Sequence, residues 1–230
     1  MIRLSERLKT AAELINPGSV IADIGCDHAY LSVYALQKGL AEFCYCLDIN
    51  EGPLKRAEKN IAEYGLSDKT EFVLSDGFEK MPEGKADTAV ILGMGGGLIQ
   101  RIISNAPSAV LEQIDSLILG PQSELAFFRQ FLFDNAFTVK DEKLIFEEGK
   151  FYYILDVIKG KEEKQYKDFE LCYGRVSFIK GNENISLLLG KELKETNSIL
   201  AGKEALPAER YEELIRKRDM IKRAGSAYEI

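Results

Sequence analysis

An apolar run, Val20-Ile21-Ala22-Asp23-Ile24, ends at Gly25 and passes through Cys26, Asp27 and His28 into a helix-forming stretch over 29–38 that contains Tyr30. A second apolar run closes on Asp48 and Ile49, roughly 20 residues further along. A glycine turn between strand and helix lets backbone approach a ligand closely, and an acid ending the next strand stands where a ribose would present its hydroxyls. The dinucleotide pattern G-x-G-x-x-G is absent, because Asp27 and Tyr30 occupy the places of its second and third glycines. A carboxylate there repels a pyrophosphate and tolerates a cation. The residue types therefore point to a nucleoside carrying a sulfonium, S-adenosylmethionine, rather than to NAD.

Two later stretches extend the pattern. Ser75-Asp76-Gly77 ends a third apolar run, where an acid can accept from an adenine amino group and glycine leaves room for the ring. Gly93-Met94-Gly95-Gly96-Gly97 ends a fourth, and so many glycines cost backbone entropy, a cost more easily understood if something lies flat against them. The candidate cofactor set is Asp23, Gly25, Asp27, Asp48, Ile49, Asp76, Gly77, Gly93, Met94 and Gly95. Each half of this pattern also has a plainer account. Glycine is first of all a turn device, an acid after a strand is often a helix cap, and Asp-Gly is a common turn pair. The sole histidine, His28, follows Asp27 directly; at a helix start it can be a packing residue as readily as a group that orients an acceptor.

These residues need a scaffold that brings strand ends together. Strand patterns at 20–25, 43–49, 70–75, 88–92 and 116–119 alternate with helical patterns at 29–38, 53–64, 98–105 and 124–133, preceded by a short amphipathic helix through Leu4, Leu8, Ala11, Ala12 and Ile15. Such alternation with nearly continuous apolar strands predicts a parallel sheet covered on both faces, an α/β Rossmann-like fold that binds ligands at the carboxyl ends of its strands. Residues 143–146 and 152–158, separated by Glu147-Glu148-Gly149-Lys150, predict a closing β-hairpin. A doubly wound sheet closed by an antiparallel hairpin is the architecture of class I methyltransferases.

A polar segment at 160–165 then suggests a boundary, giving a cofactor-binding unit over 1–158 and a helical unit over 159–230. In the second, Leu187, Leu188, Leu193, Ile199 and Leu200 mark one helix and Tyr211, Leu214, Ile215 and Ile221 another, joined by a loop between Gly202 and Pro207 into an antiparallel hairpin.

With 230 residues and 46% hydrophobic content, the chain can bury one α/β core and a small appendage. No apolar run nears the ~20 residues that span a bilayer, and the opening residues carry charge where a secretory signal would be apolar, so a cytoplasmic protein without a membrane role is expected. Cys26, Cys44, Cys46 and Cys172 form no C-x-x-C, and Cys44 and Cys46 share one strand face, which fits buried thiols better than a metal. The net charge of −7 argues against a protein that coats nucleic acid. Its distribution is uneven: residues 159–230 hold 15 basic and 13 acidic side chains, residues 1–158 hold 15 and 24. Arg216, Lys217, Arg218, Lys222 and Arg223 crowd the final helix, either as a solvated face with acidic i, i+4 partners or as phosphate contacts.

Together, Ala22-Asp-Ile-Gly-Cys-Asp-His-Ala-Tyr-Leu31, Ile91-Leu-Gly-Met-Gly-Gly96, Leu117-Ile-Leu-Gly-Pro-Gln122 and the charged C-terminal helices resemble the bacterial tRNA (adenine-N1) methyltransferases that modify adenine 22, over essentially the full length. The resemblance implies S-adenosylmethionine as donor, and so S-adenosylhomocysteine as product, with a coiled-coil-like C-terminal domain that helps hold tRNA. For methyl transfer to adenine N1, Asp27 would offset the charge that develops on the base and His28 or Tyr30 would orient the ring. Arg7, Pro121 and Gln122 are expected on the tRNA side with the five cations, and neither a metal nor an obligate protein partner is expected. Gln122 stands where the family is associated with Asn, which puts that acceptor contact in question. Two rivals share parts of the pattern: a methyltransferase of the same fold acting on a small molecule or protein, which has no need of the basic tail, and a non-catalytic module binding RNA or cofactor.

Overall fold

The computed structural model describes residues 2–202 and 206–230. Seven strands form one sheet: β1 (Ser19–Ile24), β2 (Ala41–Asp48), β3 (Thr70–Leu74), β4 (Thr88–Met94), β5 (Ser116–Pro121), β6 (Phe137–Glu147) and β7 (Lys150–Lys159). Their spatial order is β3-β2-β1-β4-β5-β7-β6, parallel through β5 and antiparallel where β7 inserts beside it. The order reverses between β1 and β4, so the turns after these two strands diverge and leave a crevice at their carboxyl ends.

Alternation along the strands divides the core into two layers. Ile21, Cys44, Cys46, Val90, Ile118 and Ile154 face α1 (Glu6–Glu13), α2 (Tyr30–Lys38) and α3 (Glu51–Glu63). Their neighbours Ala22, Tyr45, Leu47, Ala89, Ile91, Leu117, Leu119 and Leu155 face α4 (Gly96–Ser104), α5 (Ser108–Leu111) and α6 (Leu125–Asp134). The Cys44 and Cys46 thiols are free and buried in the first layer, as their spacing predicts.

The expected alternation of elements is present, with two differences along the sheet. β4 runs on through Gly93 to Met94 and α4 already begins at Gly96, so the glycine run is a strand end and a helix start joined at Gly95 rather than an open loop. The hairpin is longer than its apolar residues suggest: β6 begins at Phe137, with a register shift between Val139 and Asp141 that disturbs the alternation there. Glu148 and Gly149 turn the chain at φ 49° and 79°, as a tight two-residue hairpin requires.

Among the described residues, the C-terminal region holds four helices, α7 (Asp168–Tyr173), α8 (Val176–Ile179), α9 (Glu183–Ala201) and α10 (Ala208–Tyr228), the first two too short to show a periodic signal. Within α9 the buried side chains are Ile185, Leu189 and Thr196, while Leu187 and Ile199 are exposed, so the seam is rotated from the expected one. The expected loop between α9 and α10 falls partly on 203–205, outside the described residues. The second core layer continues through Phe169, Tyr173, Ile179, Ile185, Ile221, Ala224 and Tyr228, and so crosses residue 158 without a break. Polar contacts cross with it. Arg129 and Glu142, both fully buried, form an ion pair; Arg129 also donates to Leu171 O, Arg175 N to Glu142, and the Tyr153 hydroxyl to Tyr173 O at 3.1 Å.

Candidate active site

At the carboxyl ends of β1–β4 lies a cavity of about 680 Å³. Its lining includes Arg7, Asp23, Gly25, Asp27, His28, Tyr30, Asp48, Ile49, Asp76, Gly77, Gly93 and Met94, so one wall brings together nearly all the cofactor and catalytic candidates read from the sequence. Gly25 makes the turn at φ 74° and its N–H donates to Leu47 O at 2.7 Å, pinning the turn to β2. A Cβ at Gly25 would meet Met94 Cε at 2.3 Å; glycine is what allows the Met94 side chain to lie in the cavity.

Asp48 is buried, and its Oδ1 accepts from Asn50 N at 2.9 Å, which fixes the carboxylate at the strand end and leaves its second oxygen for a ligand. Behind it, Asp23 accepts from Ser32 Oγ at 2.6 Å. Burial pushes the Asp23 carboxyl up to about 6, partly opposed by the Ser32 hydrogen bond and reinforced by the charge of Asp48. Cys26 also lines the cavity, but its hydrogen bond with Cys46, and then its burial, hold the thiol far above the ordinary range, so it stays protonated.

Asp76 does not stand alone. Arg101, from α4, donates to both of its oxygens at 3.0 and 3.2 Å and lines the cavity beside it. Sequence reading missed Arg101, as it missed Asn50 and Arg56. Arg101 and Arg56 stand 25 and 29 residues from the acids they meet, on helices that only the fold brings there, and Asn50 contributes its backbone N–H, which its side-chain type does not announce. Arg56 Nη2 donates to Asp27 Oδ1 at 2.8 Å.

Asp27, His28 and Tyr30 form the open side. Asp27 and Ala29 adopt φ of 44° and 53°, left-handed values that few side chains take, and Ala29 caps α2 in that conformation. The result swings His28 outward, its backbone oxygen held by Asn60 Nδ2 at 2.9 Å and its ring stacked on Tyr30 with centroids 5.2 Å apart and planes within 10°. His28 Nε2 lies 3.6 Å from Asp27 Oδ2. A carboxylate and a two-ring aromatic ledge thus face the cavity mouth together.

The glycines after β4 have divided duties. A Cβ at Gly96 would come 2.6 Å from Ser123 O, at Gly95 2.9 Å from Ser123 Oγ and at Gly97 3.0 Å from Glu124 Oε2. What lies flat against these three is the turn between β5 and α6, and Gly95 is absent from the cavity lining. Gly93, at φ 78°, faces the cavity instead; a Cβ there would lie 3.8 Å from Gln122 Nε2 and 4.0 Å from Arg7 Nη1. Pro121 pairs with Met94 and Gln122 N donates to Met94 O at 2.9 Å, which places both at the rim rather than in the wall. Arg7 is held over the Tyr152 ring, 4.9 Å from its centroid, with Nε buried and unpartnered among the described residues.

The five C-terminal cations are not in this cavity. Arg216 pairs with Glu212, Lys217 with Glu192, Arg218 with Asp219 and Arg223 with both oxygens of Asp168, and Lys222 is exposed. Arg216 and Lys217 line a separate groove of about 450 Å³ against Leu125 and Ala126 of α6.

A sheet of this order with an acid at the end of β2 and another just beyond β3 is built for a nucleoside cofactor, and residues 4–155 match the family model described as "Methyltransferase domain", which makes it a methyltransferase fold. Over 202 residues the chain is 34% identical to the tRNA (adenine(22)-N(1))-methyltransferase of Bacillus subtilis strain 168, covering 86% of this chain and 84% of that protein. It belongs to the tRNA (adenine(22)-N1)-methyltransferase family. Among solved structures, Mycoplasma capricolum TrmK in complex with S-adenosyl-homocysteine superposes with a TM-score of 0.86 at 28% identity, covering 98% of this chain and 99% of that one. Streptococcus pneumoniae Sp1610, a putative tRNA (m1A22) methyltransferase in complex with S-adenosyl-L-methionine, gives 0.83 at 30% identity over 96% and 99%.

Proposed function

We propose that the chain transfers a methyl group from S-adenosylmethionine to N1 of adenine 22 in tRNA. The observation that carries this is the convergence on one cavity of Asp48, Asp76, Gly25 and Gly93 with the Asp27, His28 and Tyr30 cluster at its mouth. The residues fit the cofactor: Gly25 adds no side chain beside Met94, Gly93 leaves its part of the wall open, and Asp48 retains an oxygen for a ribose hydroxyl. Asp76 would accept from an adenine amino group by sharing its carboxylate with Arg101, and Ile49 and Gly77 would flank the ring. When bound, S-adenosylmethionine supplies an electrophilic methyl group on a cationic sulfur and leaves as S-adenosylhomocysteine.

The protein's task is then alignment and charge stabilisation. Adenine N1 carries an in-plane lone pair, so no base is needed to remove a proton first. Positive charge develops on the purine as N1 is methylated, and the Asp27 carboxylate, held by Arg56, lies at the mouth where it can offset that charge. The stacked His28 and Tyr30 rings give the purine a face to settle on. Because N1 belongs to the pairing edge, the target must be unpaired or flipped out before it enters. Gln122 and Arg7, flanking Gly93, are suited to hold it, and residues 159–230 to hold the rest of the tRNA. The reaction then takes place in the cytoplasm with no required protein partner. No helix among the described residues is long and apolar enough to cross a membrane.

Incubation of unmodified tRNA transcript with protein and S-adenosylmethionine, followed by nucleoside mass spectrometry, should yield 1-methyladenosine, and a transcript with guanine at position 22 should yield none. Incorporation into that guanine transcript, or N6-methyladenosine as product, would reject the assignment.

A further inference from the structure

The most exposed large hydrophobic side chain described is Phe127, at 76% of its full exposure. A single exposed apolar residue needs no explanation by itself; its place in the fold is what counts. Phe127 lies in the first turn of α6, directly beyond the carboxyl end of β5, and so on the side of the sheet where the cavity opens. Three neighbours at that helix start define what borders it. Glu124 accepts from Gly97 N at 3.0 Å and so abuts the start of α4 beside the cavity rim. Leu125 and Ala126 wall the second groove, whose far side carries Arg216 and Lys217 together with Glu192 and Glu213. The two cations are held differently. Lys217 pairs across to Glu192 of α9 at 3.1 Å, whereas Arg216 is 76% exposed and, among the described residues, pairs with Glu212 one turn away on its own helix, an arrangement that a phosphate can displace at little cost.

We propose that Phe127 is a stacking platform for an unpaired tRNA base next to the target adenine, with the adjoining phosphate drawn toward Arg216 and Lys217. This deepens the tRNA reading and rests on it. An adenine presented to the cavity with its pairing edge free has left the helical stack, so its neighbour in the strand has lost a partner. An exposed aromatic face next in the chain to the wall of a groove that carries cations is an arrangement that can accept a base without regard to its pairing edge, and its phosphate nearby. An acidic protein segment would meet the same cations but would gain nothing from an aromatic rather than an aliphatic side chain.

Because Phe127 is exposed, its replacement should leave folding and cofactor affinity unchanged. Phe127→Ala should lower kcat/KM for tRNA about tenfold. Phe127→Leu, which keeps apolar bulk without a π face, should be impaired to a similar degree, and Phe127→Tyr should retain activity. The chain contains no tryptophan, so Phe127→Trp introduces a single emitter at this position. Its fluorescence should be quenched by tRNA and unaffected by S-adenosylmethionine alone. Wild-type kcat/KM in Phe127→Ala, full activity in Phe127→Leu, or indole emission indifferent to saturating tRNA would each overturn the proposal while leaving tRNA methylation intact. A wild-type protein that binds S-adenosylmethionine yet methylates no tRNA would instead defeat the underlying function, and this inference with it.

Discussion

Asp23 shows how a residue can be legible in type and illegible in state. Its place before Gly25 marks it as part of the cofactor turn, but only the fold reveals that burial raises its pKa to about 6 from an ordinary 3.8. A carboxyl whose pKa is raised on folding contributes most where it is protonated in both states, below about pH 4, and that contribution is lost as pH rises through 6. Asp23→Asn keeps an acceptor for Ser32 Oγ without the buried charge. Relative to the parent, its stability should be level below pH 4 and gain on the order of 3 kcal/mol by pH 7. Urea denaturation across pH 4–7 measures this directly, and parallel stability curves would show that Asp23 is already solvated as the anion. The partners of Asp76 and Asp27 were hidden for a related reason. Arg101 and Arg56 lie 25 and 29 residues from them, and no local spacing announces a contact between a helix and the turn that another strand delivers to it.

The elements themselves were written in hydrophobic period. Each of the five parallel strands, and every covering helix but the four-residue α5, appeared where an apolar run or a 3.6-residue repeat stood between turn residues. The errors fall where another interaction governs. α4 begins two residues before its first apolar side chain, because Gly96 and Gly97 must pass beneath the β5–α6 turn, and β6 extends through a bulge that breaks the alternation. The glycines are therefore not equivalent. Gly96→Ala would force a Cβ to within 2.6 Å of a backbone carbonyl, so the turn bearing Gln122 must shift; a loss of about 1–3 kcal/mol and weakened tRNA methylation are expected. Gly190, in the middle of α9 with nothing within 4 Å of its Cβ position, should behave oppositely, Gly190→Ala gaining about 0.5–1 kcal/mol. Thermal unfolding of the two variants side by side would test the distinction, and two shifts of the same sign would contradict it.

For the molecule as a whole, the change of composition near residue 158 marks the end of the sheet but not the end of the core. Composition reports what a segment exposes, and the helices after Lys159 bury Phe169, Tyr173 and Tyr228 against the same layer as Leu144 and Tyr153. A chain ending at residue 158 would uncover that layer and deprive Arg129 of Leu171 O and Glu142 of Arg175 N. We expect such a fragment to melt well below the full chain and to bind a hydrophobic dye, with differential scanning calorimetry as the measure; an unchanged midpoint would make the helices a separable appendage. The same buried pair bears on how the chain is made. Arg129 and Glu142 emerge from the ribosome before Leu171 and Arg175, so during synthesis the sheet can assemble around two charges whose last partners have not yet appeared. A nascent chain halted between residues 160 and 170 beyond the tunnel should remain open to protease near α6, and one extended past residue 180 should close.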